Sequence, residues 1–187
     1  MYLFNYHQTP LWFSQKQLWQ YKTSQRLRSW LLDKGSLTKR LKSLYECTFT
    51  IQVTLQAWQY PSYDELILLA LPKNQLVLTR EVILMCNGKK HIFARSLFPK
   101  QTLEGNEKLM LPNHHQSLGE LLFTQHNMKR HLFEIAELTP EHYYYQRAVS
   151  DLPSHIGNLW ARRSVFYIKQ KPLLVSEVFL PFLDETP

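Results

Sequence analysis

A strict alternation of apolar and polar residues over positions 49–57 is the most regular pattern of the chain. The apolar side consists of every second residue from Phe49 to Ala57, and the polar side consists of Thr50, Gln52, Thr54 and Gln56. A period of two places each kind of residue on its own side of an extended strand. The pattern therefore predicts a half-buried antiparallel strand with its apolar side against the core.

Two apolar runs, over residues 76–86 and 89–98, are separated only by Asn87 and Gly88. Asn-Gly is the dipeptide most favoured in a two-residue type I′ turn, because both of its residues tolerate positive φ. The sequence therefore predicts a β-hairpin here.

A second hairpin is predicted near the C-terminus. The apolar runs of residues 162–168 and 171–180 flank Lys169 and Gln170, which form a poorer turn sequence than Asn-Gly. A further strand is predicted at about residues 130–137.

The spacing changes to that of a helix after residue 23. Leu27, Trp30 and Leu31 recur at the i, i+3 and i+4 positions of one buried face. Gly35 is placed to end this helix, since glycine favours the position after a helix C-terminus.

Two serines are predicted to cap the N-termini of further helices. Ser36 precedes Leu37, and Ser117 precedes Leu118 in a segment that has the form of a capping box with Glu120. The N–H groups of the two leucines would have no partner within their helices, and the helix macrodipole favours an anion near them. Every helix has such a start, so this signal is weak by itself.

The remaining segments carry less information. Residues 1–22 are rich in aromatic residues and glutamine without clear periodicity, and we interpret them as an N-terminal extension packed on a domain of residues 23–187. Residues 139–158 look irregular, as in a lid or an insertion. Strands outnumber helices and are joined by hairpins, so we predict an α+β fold with a mainly antiparallel β-sheet and helices covering one face.

Arginine interrupts the apolar side of the first predicted hairpin. Arg80 shares its strand face with aliphatic residues, and the two-residue turn predicts that it lies directly opposite Arg95. Like charges in this position destabilise a sheet. Two guanidinium groups in apolar surroundings need an anion, which is either a protein carboxylate or the carboxylate of a ligand.

A carboxylate interrupts the last predicted strand in the same way. Glu177 shares its face with Leu173, Val175 and Phe179, although an ionised Glu is rarely buried alone. The predicted turn places Glu177 opposite Arg162. Two interpretations stay open: a cross-strand ion pair that supports the sheet, or a functional carboxylate.

Composition and charge narrow the class of protein. The 187 residues, 44% of them apolar, fit one packed domain, and no apolar stretch approaches the ~18 residues that span a membrane. The net charge of +7 suits polyanions, acidic lipids or small anionic substrates. Seven cations between residues 22 and 42 could contact phosphates, but a solvated helical face is the simpler interpretation.

Neither cysteine nor histidine indicates a metal site. Cys47 and Cys86 are the only cysteines, without a CxxC motif, so the sequence indicates neither a disulfide framework nor a cysteine zinc site. His114 and His115 are the only histidine pair, and adjacent residues of a strand or loop point apart.

Five motifs, in order between about residues 24 and 181, resemble those of a known family. They are residues 30–32 followed by 36–40, residues 80–84 leading to 88 and 95, residues 118–119 with 122–124, residues 159–164, and residues 171–174 with 177 and 179–181. The family is the chorismate lyases of ubiquinone biosynthesis.

The resemblance implies an antiparallel sheet with helical flaps that enclose one aromatic-acid site, which works without metal or organic cofactor. It implies that Arg80 and the main-chain amides of Leu37 and Leu118 hold the ring carboxylate, and that Glu177 contacts the ring hydroxyl. Arg95 then suits the second carboxylate of the substrate. The catalytic residues would be Glu177 and Arg80.

The resemblance further implies that chorismate is converted to 4-hydroxybenzoate and pyruvate, the first committed step of ubiquinone biosynthesis. We expect a cytoplasmic monomer that binds no nucleic acid and makes no stable insertion into membranes. Positioning and electrostatics should dominate the catalysis. Whether Glu177 removes the ring proton, or the enolpyruvyl methylene accepts it internally, stays open.

Two other classes of function compete with the lyase. The first is a non-catalytic domain that binds small carboxylates, since effector domains of some bacterial transcription regulators resemble this fold. Those domains normally follow a DNA-binding domain, and residues 1–22 are too short to form one. The second is a nucleic-acid binder that uses residues 22–42, but it lacks aromatic residues on an exposed strand face.

Overall fold

The computed structural model describes residues 9–45, 47–104, 117–124, 128–150, 152 and 156–181. Short 3-10 helices follow the first strand and the fourth strand. The strands are β1 (Phe13–Ser14), β2 (Phe49–Gln59), β3 (Val77–Cys86), β4 (Lys89–Pro99), β5 (Met128–Arg130), β6 (Glu134–Leu138), β7 (Leu159–Ile168) and β8 (Lys171–Phe179). The α-helices are α1 (Gln25–Leu31), α2 (Leu37–Tyr45), α3 (Tyr63–Leu68), α4 (Leu118–Phe123) and α5 (Tyr143–Ala148).

The described strands form one antiparallel sheet of eight strands in the order β1-β6-β7-β8-β4-β3-β2. The remaining strand, β5, also pairs with β7, at residues other than those that pair with β6. The predicted α+β fold with a mainly antiparallel sheet is confirmed. Within the described residues, no helix combines the length and apolar character needed to cross a membrane.

Both predicted hairpins are present with two-residue turns. Asn87 and Gly88 have φ of 49° and 75°, as a type I′ turn requires. Lys169 and Gln170 also adopt positive φ, at 48° and 69°, although neither residue favours it. The pairing of the long strands β7 and β8 therefore overrides the poor turn propensity of the second hairpin.

A bulge in the first hairpin corrects the predicted register. Cys86 pairs with Lys89, as the turn requires, but the register shifts by one residue beyond Leu84 and Met85. Arg80 consequently lies opposite Ser96, and Glu81 lies opposite Arg95. The predicted pairing of Arg80 with Arg95 is wrong. An extra residue on one strand sends all later side chains to the other face, so the two arginines lie on opposite faces of the sheet.

A second bulge changes the strand with the strict alternation. The half-buried antiparallel strand is confirmed as β2, but its register against β3 shifts between Val53 and Leu55. The predicted apolar side is therefore divided between the two faces. Val53 lies opposite Val82, whereas Leu55 lies opposite Glu81 on the other face.

Helices cover both faces of the sheet, not one face as the sequence predicts. Leu31 of α1, Leu41 of α2 and Leu122 of α4 are buried against the face that carries Arg80. The opposite face is covered by α3 and α5, through buried residues such as Leu66 and Tyr144.

The segment 139–158 is not irregular throughout, because it contains helix α5. The buried residues Tyr144, Tyr145 and Ala148 form the packed side of this helix. A run of three consecutive tyrosines hides the helical period in the sequence.

Two further differences from the sequence predictions concern strand continuity and cysteine pairing. The strand predicted at residues 130–137 is interrupted at residues 131–133, which separate β5 from β6. Cys47 and Cys86 form a disulfide between the start of β2 and the end of β3. Their spacing of 39 residues gives no sign of this pairing in the sequence.

Part of the segment interpreted as an N-terminal extension packs against the sheet. Phe13 and Ser14 pair with β6, and Leu18 is buried. The Phe13 ring stacks on Tyr21 with centroids 4.4 Å apart.

Candidate active site

A cavity lies between one face of the sheet and the N-termini of α2 and α4. Its floor comes from the central strands and its roof from the two helix starts. The charged side chains that line it are Arg80, Arg130, Arg162 and Glu177. Apolar side chains, including Val82, Leu84, Leu122, Phe166 and Val175, form much of the remaining wall.

The roof brings the two predicted helix starts together. Leu37 is the first residue of α2 and Leu118 is the first residue of α4, as predicted, and both line the cavity. The Ser36 hydroxyl accepts a hydrogen bond from the Lys39 amide at 3.3 Å. These N-termini direct the positive ends of two helix dipoles into one space, which favours an anion.

Hydroxyl groups link the two helix starts. The Ser117 hydroxyl accepts a hydrogen bond from the Glu120 amide at 3.2 Å and lies 2.7 Å from the Thr38 hydroxyl. A Cβ atom at Gly119 would be 3.5 Å from the hydroxyls of both Ser36 and Ser117. A side chain at this position would therefore begin in ordinary van der Waals contact with both hydroxyls.

Arg80 supplies a buried cation to the floor. Its residue is only 2% exposed, and burial lowers the pKa of its guanidinium. It lies on β3, opposite Ser96, which also lines the cavity. A buried guanidinium suits a carboxylate ligand, because its planar donors match both carboxylate oxygens.

Glu177 and Arg162 form an ion pair in the cavity wall. The predicted cross-strand pairing is confirmed, with Arg162 Nε donating to Glu177 Oε2 at 2.6 Å. Arg162 is 1% exposed and also donates to the carbonyls of Trp30, Leu31 and Asp33 at the end of α1. The pair thus fixes the orientation of Glu177 and attaches α1 to the sheet.

Arg130 is a cavity residue that the sequence analysis missed. Its Nε donates to the Ser164 hydroxyl at 3.0 Å, and its Nη1 donates to the Lys34 carbonyl at 3.3 Å. The guanidinium carbon lies 5.1 Å from the Phe133 ring centroid and 5.0 Å from that of Phe166. Burial lowers the pKa of Arg130 to about 10, which the charge of Glu177 partly opposes. No local sequence signal separates it from other cations at strand ends.

Arg95 lies outside the cavity, in an ion-pair network on the opposite face. It donates to Glu65 Oε1 at 2.9 Å and to Glu81 Oε1 at 2.7 Å. Burial opposes ionisation of Glu65, but the adjacent Arg95 guanidinium outweighs it and lowers the Glu65 pKa to about 2. Arg147 and the Tyr143 hydroxyl also bind Glu81. The structure therefore corrects the assignment of Arg95 to the substrate site, because the bulge in β4 turns its side chain away.

Four of the five predicted substrate-binding residues share this cavity. Leu37, Arg80, Leu118 and Glu177 line one cavity, whereas Arg95 does not. In the part of the chain that the structure describes, no three or more His, Cys, Asp or Glu side chains are grouped to hold a metal ion. The pair at residues 114 and 115 lies outside the described residues.

Comparison with known sequences identifies a family. A family model described as chorismate lyase matches residues 7–185. A protein of Methylobacillus flagellatus named probable chorismate pyruvate-lyase is 39% identical over 160 residues, which cover 86% of this chain and 89% of that protein. A protein of the same name from Methylococcus capsulatus is 37% identical over 161 residues, which cover 86% of this chain and 98% of that protein.

Comparison with solved structures concerns the fold alone. The effector domain of PhnF from Mycobacterium smegmatis has a TM-score of 0.57 at 14% identity, with 81% of this chain and 91% of that chain covered. The C-terminal domain of the histidine utilization repressor from Pseudomonas syringae has a TM-score of 0.54 at 9% identity, with 72% and 92% covered. At these identities, the likeness carries no information about the ligand.

Proposed function

Because the chain belongs to the chorismate lyase family, we propose that it converts chorismate to 4-hydroxybenzoate and pyruvate, without a cofactor, as the first committed step of ubiquinone biosynthesis. One observation carries the proposal. A single cavity is lined by a buried arginine, the first residues of two helices and an ion-paired glutamate. This arrangement suits an aromatic acid that has a hydroxyl group opposite its carboxylate.

The ring carboxylate is assigned to Arg80 and to the main-chain amides of Leu37 and Leu118. Arg80 is buried, burial lowers the pKa of its guanidinium, and its planar donors match the two oxygens of a carboxylate. The first N–H groups of α2 and α4 add donors that need no side chain.

The ring hydroxyl is assigned to Glu177. Arg80 lies on β3 and Glu177 on β8, with only β4 between these strands, so their backbones are separated by about two strand spacings, or roughly 10 Å. Both long side chains line the same cavity, and the proposal places the aromatic ring between their charged ends. The Arg162 ion pair holds the Glu177 carboxylate in a fixed direction.

The proposed reaction requires little covalent chemistry from the protein. The bond between the ring and the enolpyruvyl oxygen breaks, and its electron pair stays with that oxygen. Loss of the proton on the hydroxyl-bearing ring carbon completes the aromatic ring, and a proton added to the enolpyruvyl methylene yields pyruvate. Fixed charges that hold the substrate and meet the developing negative charge are the main means of acceleration.

The proposal is tested by incubating the purified protein with chorismate in the presence of a chelator. We expect equimolar pyruvate and 4-hydroxybenzoate, measured by a coupled enzyme assay and by chromatography. Formation of 3-hydroxybenzoate, or binding of chorismate without turnover, would contradict the proposed reaction. Loss of activity that returns only with added metal would contradict the absence of a cofactor.

A further inference from the structure

The described side chains that line the cavity carry more positive than negative charge. Three arginines, at positions 80, 130 and 162, face one carboxylate, Glu177, and that carboxylate is paired with Arg162. Among the described residues, no ion pair includes Arg130. Among the described residues that line the cavity, cations thus outnumber carboxylates, which favours an anionic ligand.

The fold places Arg130 at the Glu177 end of the cavity. Arg130 pairs with Phe166 of β7, and its Nε is held by Ser164 of the same strand. β7 is the direct neighbour of β8, which carries Glu177, whereas β4 lies between β8 and the strand of Arg80. Arg80 and Arg130 therefore lie on strands on opposite sides of the strand that carries Glu177.

The Arg130 side chain is fixed while part of its donor surface stays available. Ser164 and Lys34 occupy Nε and one hydrogen of Nη1, and the rings of Phe133 and Phe166 lie near the guanidinium. No described residue accepts a hydrogen bond from its Nη2. A guanidinium held in this way can bind a carboxylate with little loss of side-chain entropy.

We propose that Arg130 binds the second carboxylate of the substrate, on the enolpyruvyl arm, in place of Arg95. This inference rests on the proposed function. The arm is attached to the ring carbon next to the hydroxyl-bearing carbon, so a substrate whose hydroxyl lies at Glu177 directs its arm to the same end of the cavity. There Arg130 also stabilises the enolpyruvyl anion as it leaves the ring.

The test compares two ligands that the protein does not transform. 4-Hydroxybenzoate carries the ring carboxylate only, and 3-(carboxymethoxy)-4-hydroxybenzoate adds a second carboxylate on an arm beside the hydroxyl. Their dissociation constants are measured by calorimetry for wild type, Arg130→Met and Arg130→Lys. The control is Lys129→Met, since Lys129 is an exposed cation next to Arg130 in β5.

In Arg130→Met, affinity for the dicarboxylate should fall at least about tenfold, the effect of losing a charged hydrogen bond. Affinity for 4-hydroxybenzoate should stay within about threefold. Arg130→Lys should show a smaller change in the same direction, because it keeps the charge without the planar donors. Lys129→Met should behave as wild type for both ligands.

An equal loss of affinity for both ligands, or no loss for either, would overturn the assignment of Arg130. If Arg130→Met does not fold, an unchanged ratio of the two affinities in Arg130→Lys would overturn it equally. The proposed function is judged separately. A wild-type protein that distinguishes the two ligands through Arg130 but leaves chorismate intact would refute the lyase and retain the dicarboxylate site.

Discussion

Substitutions at the two partners of the Arg162–Glu177 ion pair should separate a structural role from a catalytic one. Arg162→Met removes a fully buried cation that serves Glu177 and the end of α1. Breaking a buried pair from one side costs about 3–5 kcal/mol. For a chain of this size, each kcal/mol lowers the melting temperature by about 2–4 °C, so we expect a decrease of roughly 6–20 °C.

Glu177→Gln should lower the turnover of chorismate strongly and the stability of the fold only slightly. Its amide oxygen can still accept from Arg162, and the Arg162 contacts with α1 remain, so the cost in stability should be about 1–2 kcal/mol. Turnover of chorismate should fall at least about 100-fold, as is typical when one group that aligns or stabilises the reacting atoms is lost.

The assay measures kcat and melting temperature for both variants, with Glu134→Gln as a matched control. Glu134 pairs with Arg163 at 2.8 Å on the other face of the sheet and is 39% exposed. Its loss should cost less than about 1 kcal/mol and leave kcat unchanged. If Glu177→Gln keeps more than a third of wild-type kcat, or melts as low as Arg162→Met, Glu177 is a structural residue and the catalytic assignment is wrong.

Three further predictions concern Arg80 on the cavity face of the sheet, and Arg95 and Glu65 on the opposite face. Added 4-hydroxybenzoate should stabilise the wild type by about 2.7 kcal/mol at 100 times its dissociation constant, and Arg80→Met should lose most of this gain in a thermal-shift titration. Arg95→Met should lower the unfolding free energy by about 3–5 kcal/mol yet leave 4-hydroxybenzoate affinity nearly unchanged; a selective loss of that affinity would return Arg95 to the site. Because the folded pKa of Glu65 is lowered from 4.5 to about 2, its contribution is present above pH 4.5 and is lost as the pH falls toward 2. Wild type should lose about 3 kcal/mol over that range in urea titrations, and Glu65→Gln should not.

Local patterns in the sequence determined the hairpins, the helix starts and one ion pair. Asn87 and Gly88 fix a turn by their tolerance of positive φ, and Ser36 and Ser117 begin helices by capping free amides. Arg162 and Glu177 could be paired correctly because no bulge lies between them and their turn.

Only the tertiary structure decided that Arg95 lies on the face opposite Arg80 and that Arg130 lines the cavity. One extra residue in β4 sends Arg95 to the face opposite Arg80, and a bulge of this kind has no reliable local signal. Arg130 reaches the cavity because β5 pairs with β7 beside Ser164, a contact across 34 residues of sequence. Turn and cap propensities act within a few residues, whereas strand register and cavity lining depend on which distant segments pack together.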